Sequence, residues 1–294
     1  MFKIISDSAC DLSNEYVEQH DVDIVPFYVS FNEKDYYKDG IEMKRDEFYN
    51  RIVNEGGFPK TSLPSVEDYI DHFTPYVKQG IPIICITIST VLSGSYNSAS
   101  TAKDIIIEDY PDAKITVVNS LANTASQALF VNEVVRMNED GIDYDIAVSK
   151  LDGLCNSATI FFTVGSLDYL KKGGRIGKLA TMATGKLGIK PIIIMKGGEL
   201  NIGGVGRNRS KLLKSIISQV NGFLNSDGNT PDDFEYNMGE GYDSEEANAF
   251  LSEAEATIGK KTNPELNVLI GPTSACHTGP HALGLAVIKK YEKL

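Results

Sequence analysis

Ile83-Ile84-Cys85-Ile86-Thr87-Ile88 runs directly into Ser89-Thr90-Val91-Leu92-Ser93-Gly94-Ser95-Tyr96-Asn97-Ser98-Ala99-Ser100. The first six residues are an apolar, mostly β-branched run, which reads as a buried strand. A hydroxyl-rich loop follows at once, and then a helix. Ser89, Thr90, Ser93, Ser95, Tyr96 and Ser98 all carry hydroxyls, and no side chain between them is charged. Gly94 lets the backbone bend or approach a ligand closely. The helix start offers unpaired N–H groups and the positive end of a dipole. Two readings stay open from these residues. The loop is a site for a carboxylate or phosphate built without Lys or Arg, or it is a strand–turn–helix whose serines only cap the helix.

Outward from this stretch the first half alternates strand and helix. Phe2–Ser6 reads as a buried strand, 12–20 as a helix, and Val22–Phe31 as a strand interrupted by Pro26. Helical spacing returns at 44–54. Ser65 is a fitting N-cap, with Asp68 three residues on, for a helix reaching about Lys78. Ala113–Val118 is a further strand, followed by helices over 121–139 and 143–154. This pattern predicts a mostly parallel, doubly wound sheet, whose ligands sit beyond the C-terminal strand ends.

The second half reads differently. Strands are expected at Ala158–Val164, Ile189–Met195 and Asn267–Gly271. Gly197-Gly198 marks a hairpin turn, and Gly203-Gly204-Val205-Gly206 a loop or bulge. Helices are expected at 166–171, 208–225, 245–259 and 280–290. The expectation is two domains: 1–155, α/β, and 156–294, α+β with a more antiparallel sheet.

The chain has 294 residues, 42% of them apolar, which suits two sizeable cores. Cys10, Cys85, Cys155 and Cys276 are far apart and form no close-spaced pair, so structural zinc is not expected and a reducing compartment is. The N-terminus begins a strand without a signal-peptide core, and no apolar run approaches a membrane span. A soluble cytoplasmic protein without stable membrane insertion is therefore expected. The net charge of −12 argues against a nucleic-acid binder. Yet Lys171 to Lys214 carries eleven basic residues against Glu199 alone. That segment either steers an anionic ligand or acidic partner, or is a dispersed, solvated surface.

His277, in Pro272-Thr273-Ser274-Ala275-Cys276-His277-Thr278-Gly279-Pro280, is the most informative titratable residue. Just past a strand and before a Gly-Pro turn, it could bond an anion, act as a base, hold a metal, or be structural. His20 and His72 sit on predicted helices and read as surface residues. A Ser93–His277–Asp7 hydrolase triad is conceivable, but the G-x-S-x-G elbow is absent, as are HExxH and Walker patterns.

Six stretches together carry a resemblance. They are Ser6-Asp7-Ser8-Ala9-Cys10-Asp11-Leu12, Thr61-Ser62-Leu63-Pro64-Ser65, Leu92-Ser93-Gly94-Ser95-Tyr96-Asn97-Ser98-Ala99, Leu170-Lys171-Lys172-Gly173-Gly174-Arg175-Ile176, Ile189-Lys190-Pro191 and His277-Thr278-Gly279-Pro280. In this order they resemble the DegV family over essentially the full length. The resemblance implies a long-chain fatty acid, such as palmitate, stearate or oleate, buried between the two domains, and no cofactor. It implies that Thr61 or Ser62, Ser93, the N–H of Gly94 and His277 hold the carboxylate. Some relatives are non-catalytic, acyl-carrying subunits that present the carboxylate to a separate ATP-dependent fatty acid kinase. In those, arginines matching Arg175 and Arg207 face the kinase. The competing readings are an acyl-ester hydrolase using Ser93 and His277, and a carrier of a small ketone through His277. The chain departs from the family pattern at Asn119 (usually Asp), Gly188 (usually Asn) and His281 (usually Gly). His281 lies nearest the expected site.

Burial of about 15 methylenes at ~0.8 kcal/mol each offers roughly 12 kcal/mol before ordering costs. The tail can then supply most of the affinity. Neutral hydroxyls, backbone N–H groups and one His suffice for the head group.

Overall fold

The computed structural model describes residues 1–180 and 189–294. Gly188 and Lys186 lie outside the described residues. Strand β1 (Lys3–Asp7) is followed by helix α1 (Asn14–Gln19) and strand β2 (Val22–Val25). Pro26, which has no N–H to give a ladder, follows the end of β2. The chain then enters a small antiparallel ribbon of β3 (Tyr28–Ser30), β4 (Tyr37–Lys38) and β5 (Lys60–Ser62), in the order β4-β3-β5. Helix α2 (Arg45–Asn54) separates β4 from β5. The run that opened the sequence reading becomes β6 (Ile83–Thr87), entered from α3 (Val66–Val77) and left through α4 (Ser95–Asp109) to β7 (Ile115–Asn119). The main sheet has the order β2-β1-β6-β7, and every pair is parallel. Ser65 and Asp68 form a reciprocal capping box at the start of α3.

Neighbouring residues in β1 face opposite sides, as the strand period requires. Ile5, Ile83 and Cys85 pack against Tyr69, Phe73, Ala99, Ala102 and Ile106 of α3 and α4. Ile4, Ile84 and Ile86 pack on the other face, in the cluster that includes helix α5 (Thr124–Glu139). The sheet is thus wound on both faces.

After α6 (Tyr144–Ser157) the chain builds a second sheet. Its elements are β8 (Thr159–Thr163), α7 (Asp168–Lys172), β9 (Lys190–Lys196), β10 (Glu199–Gly206), α8 (Arg209–Leu224), β11 (Phe234–Glu240), α9 (Ser244–Ile258), β12 (Val268–Leu269), α10 (Pro272–Thr278) and β13 (Leu283–Lys289). The order is β10-β9-β8-β13-β11-β12, antiparallel except for the β11–β12 pair. Helices α8 and α9 cover one face, with Leu212, Ile216, Val220 and Phe250 against Phe161, Ile192 and Leu285. Helix α5 covers the other. It lies between the two sheets, and Thr124 to Val135 is therefore buried on every side.

Several sequence expectations need correction. Residues 283–289 form a strand, not the helix expected at 280–290. Alternate residues of β13 enter two different cores, so both of its faces are buried and no two-residue alternation shows. The strand expected at Asn267–Gly271 shrinks to Val268–Leu269. Gly197-Gly198 is the hairpin turn, both residues at positive φ. Gly203–Gly206 lies inside β10, where the register shifts between Ile202 and Gly204, so the glycines form a bulge in a strand. No helix among the described residues is long and apolar enough to cross a membrane.

Candidate functional site

A partly open cavity of about 220 Å³ lies between the loops beyond the parallel sheet and the second sheet. Its apolar wall comes from both halves of the chain. Phe27, Ile88 and Leu92 face Ile160, Phe162, Met195, Leu200, Ile270 and Leu283. Gly239 and Gly284, opposite each other on β11 and β13, add to the wall without side chains. Gly284 has no alternative there, since a Cβ would sit 2.3 Å from the Phe161 carbonyl oxygen.

The lining also carries hydroxyls and one imidazole. Thr61 and Ser62 come from β5, Ser93 from the loop after β6, and His277 from the last turn of α10. His277 Nε2 lies 3.0 Å from Thr61 Oγ1. The residue sits on a helix that Pro272 opens, and the expected Gly-Pro turn follows it at Gly279, whose φ is +73°. Ser93 Oγ accepts the Ser95 N–H at 3.3 Å, so its own proton is available to a ligand. Gly94 caps α4 beside this group but does not line the cavity.

His277 Nδ1 is buried without a hydrogen-bond partner. Burial, assisted by the positive charges of Arg175 and Lys60, pushes the imidazole down to about 4. The ring is therefore neutral near pH 7. Arg175 lines the same cavity. Its Nε donates to the Leu92 carbonyl at 3.0 Å and its Nη1 to the Gly173 carbonyl at 2.7 Å, tying the two halves together. Lys60 Nζ donates to the Lys172 carbonyl at 3.1 Å.

Asp7 is buried, and burial raises its carboxyl to about 6 against the pull of its hydrogen bonds. It accepts from Ile88 N at 2.9 Å, Ser95 Oγ at 2.7 Å and Gln127 Nε2 at 2.8 Å. It thereby fixes the loop that carries Ser93. The Ser93–His277–Asp7 triad does not form, because Asp7 is committed to these donors and His277 Nδ1 meets no carboxylate.

His281 does not line this cavity. It pairs with Asp243 and lines a neighbouring open groove with Tyr169, Arg209 and Tyr242. His20 and His72 pair with Glu139 and Asp23, away from the site. Arg207 is exposed at the end of β10. The basic segment is partly neutralised by the Arg209–Glu246 and Lys214–Glu253 pairs. Asn123, Thr124, Thr273 and Ser274 also line the cavity and had no distinguishing signal in the sequence. Among the described residues no cluster of three or more His, Cys, Asp or Glu side chains could hold a metal.

Two sheets sandwiching a helix, with a largely apolar cavity whose lining includes hydroxyls and a neutral His, define the architecture of this α/β protein. The model of the DegV family, described as uncharacterised proteins, matches residues 1–290, and the chain belongs to this family. A DegV domain-containing protein of Clostridium perfringens is 35% identical over 222 residues, covering 74% of this chain and 76% of that one. A stearic acid-binding protein from Eubacterium ventriosum superposes with a TM-score of 0.96 at 56% identity, each chain covered completely. A fatty-acid-binding DegV family protein from Thermus thermophilus superposes with a TM-score of 0.87 at 26% identity, with 98% of this chain and 99% of that one covered.

Proposed function

We propose that this chain binds one long-chain fatty acid between its two halves, residues 1–155 and 156–294, and holds it for a separate fatty acid kinase. The observation that carries the reading is the cavity itself. It is apolar over most of its wall and lined from both halves of the chain, with Thr61, Ser62, Ser93 and His277 in its polar lining and Thr61 in contact with His277. The full-length likeness to the stearic acid-binding protein supports the same ligand class.

The head-group chemistry follows from His277. With Nδ1 buried and partnerless, the tautomer that leaves a lone pair there avoids an orphaned N–H. Nε2–H then donates to Thr61 Oγ1, and the Thr61 hydroxyl proton points onward to the carboxylate. Ser93 Oγ–H and Ser62 supply the remaining donors, and Gly94, outside the lining, only positions Ser93. This clamp satisfies a carboxylate without a salt bridge, which suits a head group that must be handed on. The exposed Arg207 and the cavity-lining, half-buried Arg175 are the proposed contacts of the kinase. In this reading the protein is a non-catalytic, cytoplasmic carrier without a cofactor. Native mass spectrometry tests it: the purified protein should carry, or take up, one palmitate or oleate, and protein that stays empty after incubation contradicts it.

A further inference from the structure

Asp39 lies at the end of β4, in Tyr37-Lys38-Asp39-Gly40, remote in sequence from every residue of the clamp. It is buried to 5% exposure. One carboxylate oxygen, Oδ2, collects three hydrogen bonds. Ser8 Oγ donates at 3.0 Å, Thr273 Oγ1 at 2.5 Å and Thr273 N at 3.3 Å. Ser8 Oγ in turn accepts the N–H of Phe27, a cavity residue, at 3.0 Å. The N-cap of α10 is Gly271, which has no side chain to satisfy the first N–H groups. Asp39 does this from another part of the chain. Thr273 and His277 are four residues apart on α10, hence on one face, and both line the cavity. Holding Thr273 by both its N–H and its hydroxyl sets the rotation of that face.

We propose that Asp39 is a positioning residue of the head-group clamp: by fixing Thr273 it aims His277 at Thr61 and at the ligand's carboxylate. This rests on the fatty-acid reading above. It predicts a defect confined to ligands with a carboxylate, whereas a cap that only stabilises α10 would affect every ligand alike.

The test compares palmitate with 1-hexadecanol, which has the same tail and no carboxylate, by titration calorimetry on the full chain. The His277 ring signals are followed by NMR without ligand. Asp39→Asn should weaken palmitate by about tenfold, the loss of a charge-assisted hydrogen bond or two, and leave hexadecanol within about twofold. The His277 signals should shift. Equal weakening of both ligands, or no change in palmitate affinity, overturns the proposal. Should Asp39→Asn fail to fold, Ser8→Ala removes a donor to the same carboxylate from outside the cavity lining. It should weaken palmitate about threefold with the same selectivity, and loss of that selectivity counts against the proposal. A wild-type protein that takes up no palmitate sinks the fatty-acid reading instead. Positioning is then judged by the His277 signals alone, and unmoved signals in Asp39→Asn overturn it.

Discussion

Gly173 and His277 occupy adjoining space: a Cβ on Gly173 would lie 2.1 Å from His277 Nδ1. Gly173 has φ −77°, where any residue is allowed, so its backbone does not require glycine. The requirement is room for the imidazole. The first glycine of Lys172-Gly173-Gly174-Arg175 is the seat of His277, and its carbonyl also takes the Arg175 bond. The second, Gly174, is left-handed at φ +72° and serves the turn.

Gly173→Ala should therefore act on the site and not on the backbone. The methyl group must displace the His277 ring from the position in which it bonds Thr61, since Tyr169 O, 3.1 Å from the same point, closes the other side. Overpacking of this kind costs about 1–3 kcal/mol. Palmitate affinity should fall by about tenfold, with the secondary structure seen by circular dichroism unchanged. Wild-type affinity in Gly173→Ala would show that His277 does not hold the head group.

The neutral state of His277 has a consequence for stability. Its folded value of about 4 lies below the ordinary 6.5, so the folded protein resists the proton that the unfolded chain accepts. The stabilisation is complete above pH 6.5 and disappears as pH falls toward 4, an effect of about 3 kcal/mol. Asp7, raised to about 6, runs the other way, destabilising the fold as pH rises from 3.8. Comparing urea unfolding of wild type and His277→Gln between pH 7.5 and 4.5 isolates the histidine. The wild type should lose more stability than the variant over this range. Parallel curves would mean that His277 takes up its proton in the fold as readily as in the unfolded chain.

Asp7 anchors the serine loop to β1. Asp7→Ala strands the Ile88 N–H and leaves the Ser95 hydroxyl and the Gln127 amide with only Tyr69 Oη and Ser6 Oγ, in a buried site where an unsatisfied group costs about 1–3 kcal/mol. The midpoint of chemical denaturation should drop markedly. Asp7→Asn should cost less, because its Oδ1 can still accept one or more of these bonds. Near-wild-type stability of Asp7→Ala would remove Asp7 from this role.

Arg207 is exposed and lies outside the cavity lining. Arg207→Glu should leave palmitate uptake within about twofold. It should lower the rate at which a fatty acid kinase phosphorylates the bound palmitate by about tenfold, as charge reversal at a docking surface does. The measurement is acyl-phosphate formation from ATP and protein-bound palmitate. An unchanged rate would exclude Arg207 from the docking face.

The sequence was most legible where a segment carries its own signal. Ser65 and Asp68 announced the capping box of α3, and the run Ile83–Thr87 announced the central strand. It was least legible where both sides of an element are buried: Leu283–Lys289 reads apolar throughout, because its residues feed two cores. Phe234–Glu240 passed unread because Glu235, Asn237 and Glu240 break its apolar run, although it pairs with β13 along its length. At the site, individual hydroxyls were visible, but their convergence rested on family resemblance. Nothing local tells that His277 closes a helix, that Gly173 makes room for it, or that Asp39 reaches Thr273 across 234 positions. These are tertiary relationships between residues whose own neighbourhoods are unremarkable.

The central claim is that the cavity between the two halves holds a fatty acid by its tail, with His277 and Thr61 at the carboxylate. Native mass spectrometry of the purified protein, followed by lipid extraction, tests it most directly. The account predicts one long-chain fatty acid per chain, readily exchanged for added palmitate, with weaker retention in His277→Ala. Protein that is empty as purified and remains empty with excess palmitate would contradict it.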